Sequence, residues 1–246
     1  MKKSVIIFFT AILFLTAQIC IGQVAADIEN QNKKGNAVFL IVTDGGTDLA
    51  ATKEIAMKAK SLYPKSAVLT LDKSDKANTA LVKKYGLLGA QTPMILVIAS
   101  IGVVTDGYLK SEATPEKLVE GIPTKRQSEA LLGFDRKKPV FVVMYKKTMT
   151  DKIAVIEECK KAAVTLNGRA VIVEVDLDDK SEAPFITLLN PNLPVTKTIV
   201  HVFNSKGQFS SKFAAPLQSS ALVAAATKAP GGCCPPGSGK SCAPKK

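Results

Sequence analysis

Apolar runs of strand length alternate with stretches of helical periodicity along this chain, and the alternation occurs twice. Ala37–Thr43 (AVFLIVT) is a continuous apolar, β-branched run that ends at Asp44-Gly45-Gly46, as expected of a strand covered on both faces. Ile55, Ala59 and Leu62 then fall at helical spacing ahead of Pro64. Further strands are expected at Ala67–Asp72 and Met94–Ala99, with a helix over Ala77–Tyr85 between them. Gly102 marks a turn toward one more strand, and Leu118-Val119 belong to a closing helix. The second copy opens at Pro139–Tyr145 (PVFVVMY), where Val140-Phe141 matches Val38-Phe39. Ile153, Ile156 and Cys159 take the helical spacing and Gly168 is the stop. Strands follow at Val171–Asp176 and Thr198–Phe203, with a short, weak helix around Phe185–Leu189 and a turn at Gly207. Asp72 and Asp176 recur at an offset of 104, as do Leu118-Val119 and Leu222-Val223. The order β-α-β-α-β-β-α in each copy predicts an α/β protein of two consecutive domains, each a mixed sheet flanked by helices.

Outside the copies the pattern changes. Lys2 and Lys3 carry the only charges before Asp27, and Val5–Ala17 is apolar except for Thr10 and Thr16. That is the layout of a secretory signal, so the chain is expected to be exported, either periplasmic or secreted. Val24-Ala25-Ala26 supplies small residues for cleavage after Ala26, and a cut after Gly22 is the alternative. An uncleaved anchor is the competing reading, and only then is a membrane a partner. Ile19 ahead of Cys20 is too large for a lipidation signal, so Cys20 goes with the signal. The expected division is a signal over 1–26, a first domain over 27–122, a linker over 123–137, a second domain over 138–227 and a tail over 228–246.

Composition excludes several functions. The 246 residues are 46% hydrophobic and 22% charged, which is ordinary for a globular protein. A single histidine, His201, rules out a multi-histidine metal centre, and five cysteines are too few for a dense disulfide scaffold. The net charge of +12 is carried by lysines spread along the chain, which read as solvated surface. Aromatic residues are few and none is Trp. A stacking platform for nucleic acid is therefore not expected.

The β-α-β-α-β-β-α order resembles the thioredoxin fold. The local match is Lys83-Lys84-Tyr85-Gly86-Leu87 followed by Thr92-Pro93-Met94-Ile95-Leu96. Thioredoxins have a similar helix end and then a cis-proline before the third core strand, so the resemblance implies a cis bond at Pro93. In the second copy Thr196-Lys197-Thr198 takes that place, with Lys197 read at the proline position. Phe203-Asn204-Ser205-Lys206-Gly207-Gln208 is similar to the turn before that fold's last strand. The resemblance spans about residues 35–122 and 138–226.

Thioredoxin chemistry uses a Trp-Cys-x-x-Cys segment that sets a thiolate at a helix N-terminus. Here the corresponding loops read Asp44-Gly45-Gly46-Thr47-Asp48-Leu49-Ala50 and Lys146-Lys147-Thr148-Met149-Thr150-Asp151, without cysteine. No catalytic or cofactor-binding residue is therefore assigned in either domain. Thr47 or Asp48, and Thr150 or Asp151, are expected as helix N-caps, with a peptide or anion site at these helix starts as the alternative. Thr92 and Pro93 are candidates for docking an extended peptide, because the resemblance implies a backbone edge there. Asp176, Asp178 and Asp179 read as strand-end and helix-start acids, Cys159 as a buried thiol and His201 as structural.

After Thr227 the chain turns rich in Pro and Gly, and Cys233, Cys234 and Cys242 fall there. Such a segment is not expected to fold alone. Gly237-Ser238-Gly239-Lys240-Ser241 lacks the strand, helix and first glycine of a phosphate-binding loop, and is rejected as one. Three readings stand for the thiols: a site for Cu(I) or Zn(II), a mobile dithiol exchanging with a partner, or incidental disulfides. Together these features predict a redox-inactive binding or chaperone-type protein with an unidentified protein partner. The competing class is a thiol–disulfide oxidoreductase with the tail as its only redox centre.

Overall fold

The computed structural model describes residues 22–46, 48–189 and 195–228. Cys20, nearly all of the expected signal, Thr47 and the tail cysteines Cys233, Cys234 and Cys242 lie outside the described residues. In the first domain the order is α1 (Gln23–Lys33), β1 (Ala37–Thr43), α2 (Ala50–Leu62), β2 (Ser66–Asp72), α3 (Thr79–Lys84), β3 (Met94–Ile98), β4 (Val104–Leu109) and α4 (Pro115–Glu120). The second repeats it as α5 (Lys125–Asp135), β5 (Val140–Tyr145), α6 (Lys152–Thr165), β6 (Val171–Asp176), α7 (Ala183–Leu189), β7 (Ile199–Phe203), β8 (Phe209–Ala214) and α8 (Ser219–Thr227). Both sheets have four strands, in the orders β2-β1-β3-β4 and β6-β5-β7-β8. The first pair of each is parallel and the other two pairs are antiparallel. Each sheet also carries a register irregularity at the same place, between Val97 and Ile98 and between Val202 and Phe203.

The apolar runs form the central strands because both faces are covered. Every residue of β1 is buried. Val38, Leu40 and Val42 face α1 and α3, where Ile28, Leu81 and Val82 pack on them. Phe39 and Ile41 face α2 and α4, against Ala56, Ala59 and Leu118. In the second domain Val140, Val142 and Met144 face α5 and α7, and Phe141 and Val143 face α6 and α8. Leu118 and Leu222, the pair seen at constant offset, are both fully buried, and each contributes about 2–3 kcal/mol by leaving water. No helix among the described residues is long and apolar enough to cross a membrane.

Four expectations need correction. The stretch 123–137, expected as a linker, contains α5, which packs Ala130 on the second sheet. Thr124 caps this helix through the Gln127 N–H, and its own hydroxyl donates to the buried carboxylate of Glu182. Glu182 also accepts the Arg126 N–H at 3.1 Å. Second, Ala26 lies inside α1, so a boundary there would divide a helix whose Val24, Ala25 and Ile28 meet the first core. Third, α7 is as developed as α3, with seven residues against six. Fourth, Ile153 is 73% exposed; α6 buries Cys159 as expected, but with Val155 and Ala162 in place of Ile153. The helix is rotated so that small residues approach the sheet. Leu62 is likewise exposed, while α2 buries Thr52, Ala56 and Ala59.

Candidate functional site

The place to look for chemistry is where β1 or β5 meets its following helix, beside the loop entering β3 or β7. In the first domain the Thr92-Pro93 bond is cis. The Thr92 hydroxyl donates to Asp44 Oδ2 at 2.9 Å, tying the proline loop to the end of β1. The Pro93 carbonyl accepts the Lys110 N–H at 3.2 Å. Gly45 turns with φ +83°, and a Cβ there would stand 2.8 Å from Asp72 Oδ2, so the turn needs glycine for both reasons. Asp72 accepts from the Ser74 hydroxyl and backbone N–H at 2.6 and 2.8 Å. Those bonds, the hydroxyl's first, hold its carboxyl below the usual range against the opposing effects of burial and the Asp44 charge. Asp48 accepts the Ala50 N–H at 2.9 Å, one residue ahead of the N-cap position Leu49.

The second domain fills the same place differently. Met144 pairs with Ile199 as Val42 pairs with Met94. The residue equivalent to Pro93 is therefore Thr198, and not Lys197 as read from the sequence. Asp151 stands at the N-cap of α6, but its carboxylate does not cap that helix. It accepts the Thr198 hydroxyl at 2.6 Å and the Thr198 N–H at 3.2 Å. Lys147 lies 3.5 Å from Asp176 and Lys146 3.9 Å from Asp178. The first loop is thus acidic and the second basic, although both close on their β3 or β7 entry through an Asp–Thr bond.

Among the described residues no thiol lies at either place. Cys159 is on α6, fully buried, and burial pushes its thiol up to about 12. Asp176 and Asp179 accept backbone N–H groups of Asp178 and Ser181, as expected of strand-end and helix-start acids. Among the described residues no group of three or more His, Cys, Asp or Glu is placed to hold a metal ion.

A feature that sequence reading missed is an apolar groove of about 610 Å³ on the α5–α7 face of the second domain. Leu131, Phe134, Phe185, Leu188 and Phe209 line it, with His201 and Lys212 on the strand side. The Phe134, Phe203 and Phe209 rings are in sequential contact, with centroids 5.4 and 5.8 Å apart. The Phe209 ring meets His201 edge-on at 5.5 Å. Phe203 and Phe209 flank the Gly207 turn, which was the visible signal, but Phe134 was hidden in the supposed linker.

Strand order, the cis bond before β3 and the helices on both faces define two tandem domains of thioredoxin-like fold. Known structures with related architecture are distant in sequence. The first two thioredoxin domains of Saccharomyces cerevisiae Eps1p are 11% identical, over 81% of this chain and 95% of that one, at a TM-score of 0.28. The NTD_N/C domain of alkylhydroperoxide reductase AhpF from Enterococcus faecalis is 12% identical, over 82% and 96%, at 0.26. ERdj5 in crystal form II is 15% identical over 76% of this chain, which spans only 25% of that protein's chain, at 0.31. Identities and TM-scores this low carry no argument about this chain. No protein-family model and no curated protein matches the chain.

Proposed function

We propose that the chain is an exported, redox-inactive tandem thioredoxin-like protein that works as a binding or chaperone-type module for a protein partner. The observation that carries this reading is the replacement of the dithiol position in both domains. Asp44–Thr92 and Asp151–Thr198 hydrogen bonds close the two places where thiolates would act, and the one cysteine of the described domains is buried and protonated. A thiol held up at about 12 has almost no thiolate at neutral pH. The cis Thr92-Pro93 loop is the proposed edge for an extended partner segment. Support for a cut after Gly22 is that α1 begins at Gln23 and is needed whole by the first core.

Cys233, Cys234 and Cys242 favour a second reading, in which the tail is the only redox centre or a thiolate site for Cu(I) or Zn(II). One experiment separates the two. Insulin reduction is measured for the full chain and for the triple Cys233→Ser, Cys234→Ser, Cys242→Ser variant. The binding-module reading expects both to match the no-enzyme control. Turnover in the wild type that vanishes in the variant would establish the tail as a redox centre, and turnover that survives would overturn both readings.

A further inference from the structure

The α5–α7 groove has a chemistry of its own, separate from the dithiol positions. Its walls are aromatic and aliphatic, and Leu188 and Phe209 are 68% and 57% exposed. Large apolar side chains left open around a concavity of this size suit a small ligand. The polar groups sit together at one side. His201 and Lys212 are direct cross-strand partners on β7 and β8, so their side chains share a face of the sheet. His201 is only 4% exposed, and its Nε2 has no hydrogen-bond partner. Leaving a buried nitrogen unpaired is costly, and a ligand's polar atom would recover that cost. Lys212 is exposed, and no carboxylate among the described residues lies within ion-pair distance of it. The groove therefore offers an apolar body site with an unpaired imidazole nitrogen and an unpaired cation at one end.

We propose that this groove binds a free hydrophobic carboxylic acid, its hydrocarbon body against Phe134, Phe185 and Phe209 and its carboxylate between His201 and Lys212. The neutral imidazole donates its N–H to one carboxylate oxygen and the Lys212 ammonium pairs with the other. For the head group to reach the imidazole, the exposed Phe209 ring, which stands edge-on to His201, swings onto the hydrocarbon body. A cationic head of the same length meets Lys212 repulsively, and a neutral chain leaves the cation unpaired. This site stands whether or not the chain also holds a protein partner.

The test uses the full chain with sodium dodecanoate below its micelle concentration, followed by titration calorimetry and by the ring signals of the single histidine. Saturable one-to-one binding with movement of the His201 signals is expected. Dodecyltrimethylammonium should bind at least tenfold more weakly. Lys212→Glu should weaken dodecanoate about tenfold or more, the scale of a lost charge-assisted bond. Lys84→Glu, an equal charge change on α3 of the first domain, should leave the affinity within twofold. The proposal falls if the two head groups bind alike, if Lys84→Glu weakens binding as much as Lys212→Glu, or if the His201 signals stay still at saturation. A peptide ending in Leu-Phe with a free carboxylate that binds more tightly than dodecanoate would also overturn it, reassigning the groove to polypeptide C-termini.

Discussion

His201 should make the second domain acid-sensitive in a pH window where little else titrates. Its ring lies on β7 between β5 and β8, paired with Val142 and Lys212. Burial first, and then the Lys212 charge, push its pKa down from the ordinary 6.5 to about 4. The unfolded chain therefore binds a proton that the folded domain refuses. A group with a depressed folded pKa of this kind leaves stability intact above the unfolded pKa and removes it as pH falls toward the folded one. Each pH unit between the two is worth about 1.4 kcal/mol. The full loss is then about 3 kcal/mol, with about 2 kcal/mol gone between pH 7 and pH 5. Asp72, Glu158 and Asp179 are held below their ordinary range by hydrogen bonds and titrate at lower pH. The assay is urea denaturation of the full chain at pH 7 and pH 5, for wild type and His201→Leu. The second domain's transition should fall by about 2 kcal/mol in the wild type and much less in the variant. Equal shifts in the two proteins, or a histidine ring signal that titrates near 6.5 in the folded chain, would refute the reasoning.

Three further outcomes are expected. Glu182→Ala removes the acceptor of both the Thr124 hydroxyl and the Arg126 N–H at the start of α5. It should destabilise the second domain by about 2–3 kcal/mol and speed amide exchange in 124–135, whereas unchanged exchange there would mean that α5 docks without it. Gly133→Ala would place a Cβ 2.6 Å from Val140 Cγ2, so overpacking should outweigh the gain in helix propensity and lower stability by about 1 kcal/mol. A rise in the urea midpoint would contradict that. Cys159 should resist iodoacetamide at pH 8 in the native chain and label fully in urea, because burial keeps it protonated. Peptide mass spectrometry showing native labelling at residue 159 would count against the buried position.

The strands were legible because a segment covered on both faces is apolar throughout, and that is a local property. Ala37–Thr43 and Val171–Asp176 were read to the residue, and the other core strands to within one. The lack of a Cys-x-x-Cys pair was equally plain, since it depends on residue identity alone. The helices α1 and α5 were not legible. Each buries only a residue or two, Ile28 in α1 and Ala130 and Gly133 in α5, and mixes its remaining apolar residues with polar ones. Such a segment reads as a boundary until a sheet supplies the surface it docks on. The rotation of α6, which leaves Ile153 outside, was set by the close approach that Cys159 and Ala162 permit. The site depended still more on the tertiary structure. Thr198 takes the proline place because β5 and β7 align Met144 with Ile199, and spacing cannot express that register. Asp151 and Thr198 meet across 47 residues, and the groove joins Phe134, Phe185, His201 and Phe209 from four elements. Periodicity along the chain fixes which face of each element is apolar. Which side chains then meet across the fold is decided only when sheet register and helix docking bring distant segments together.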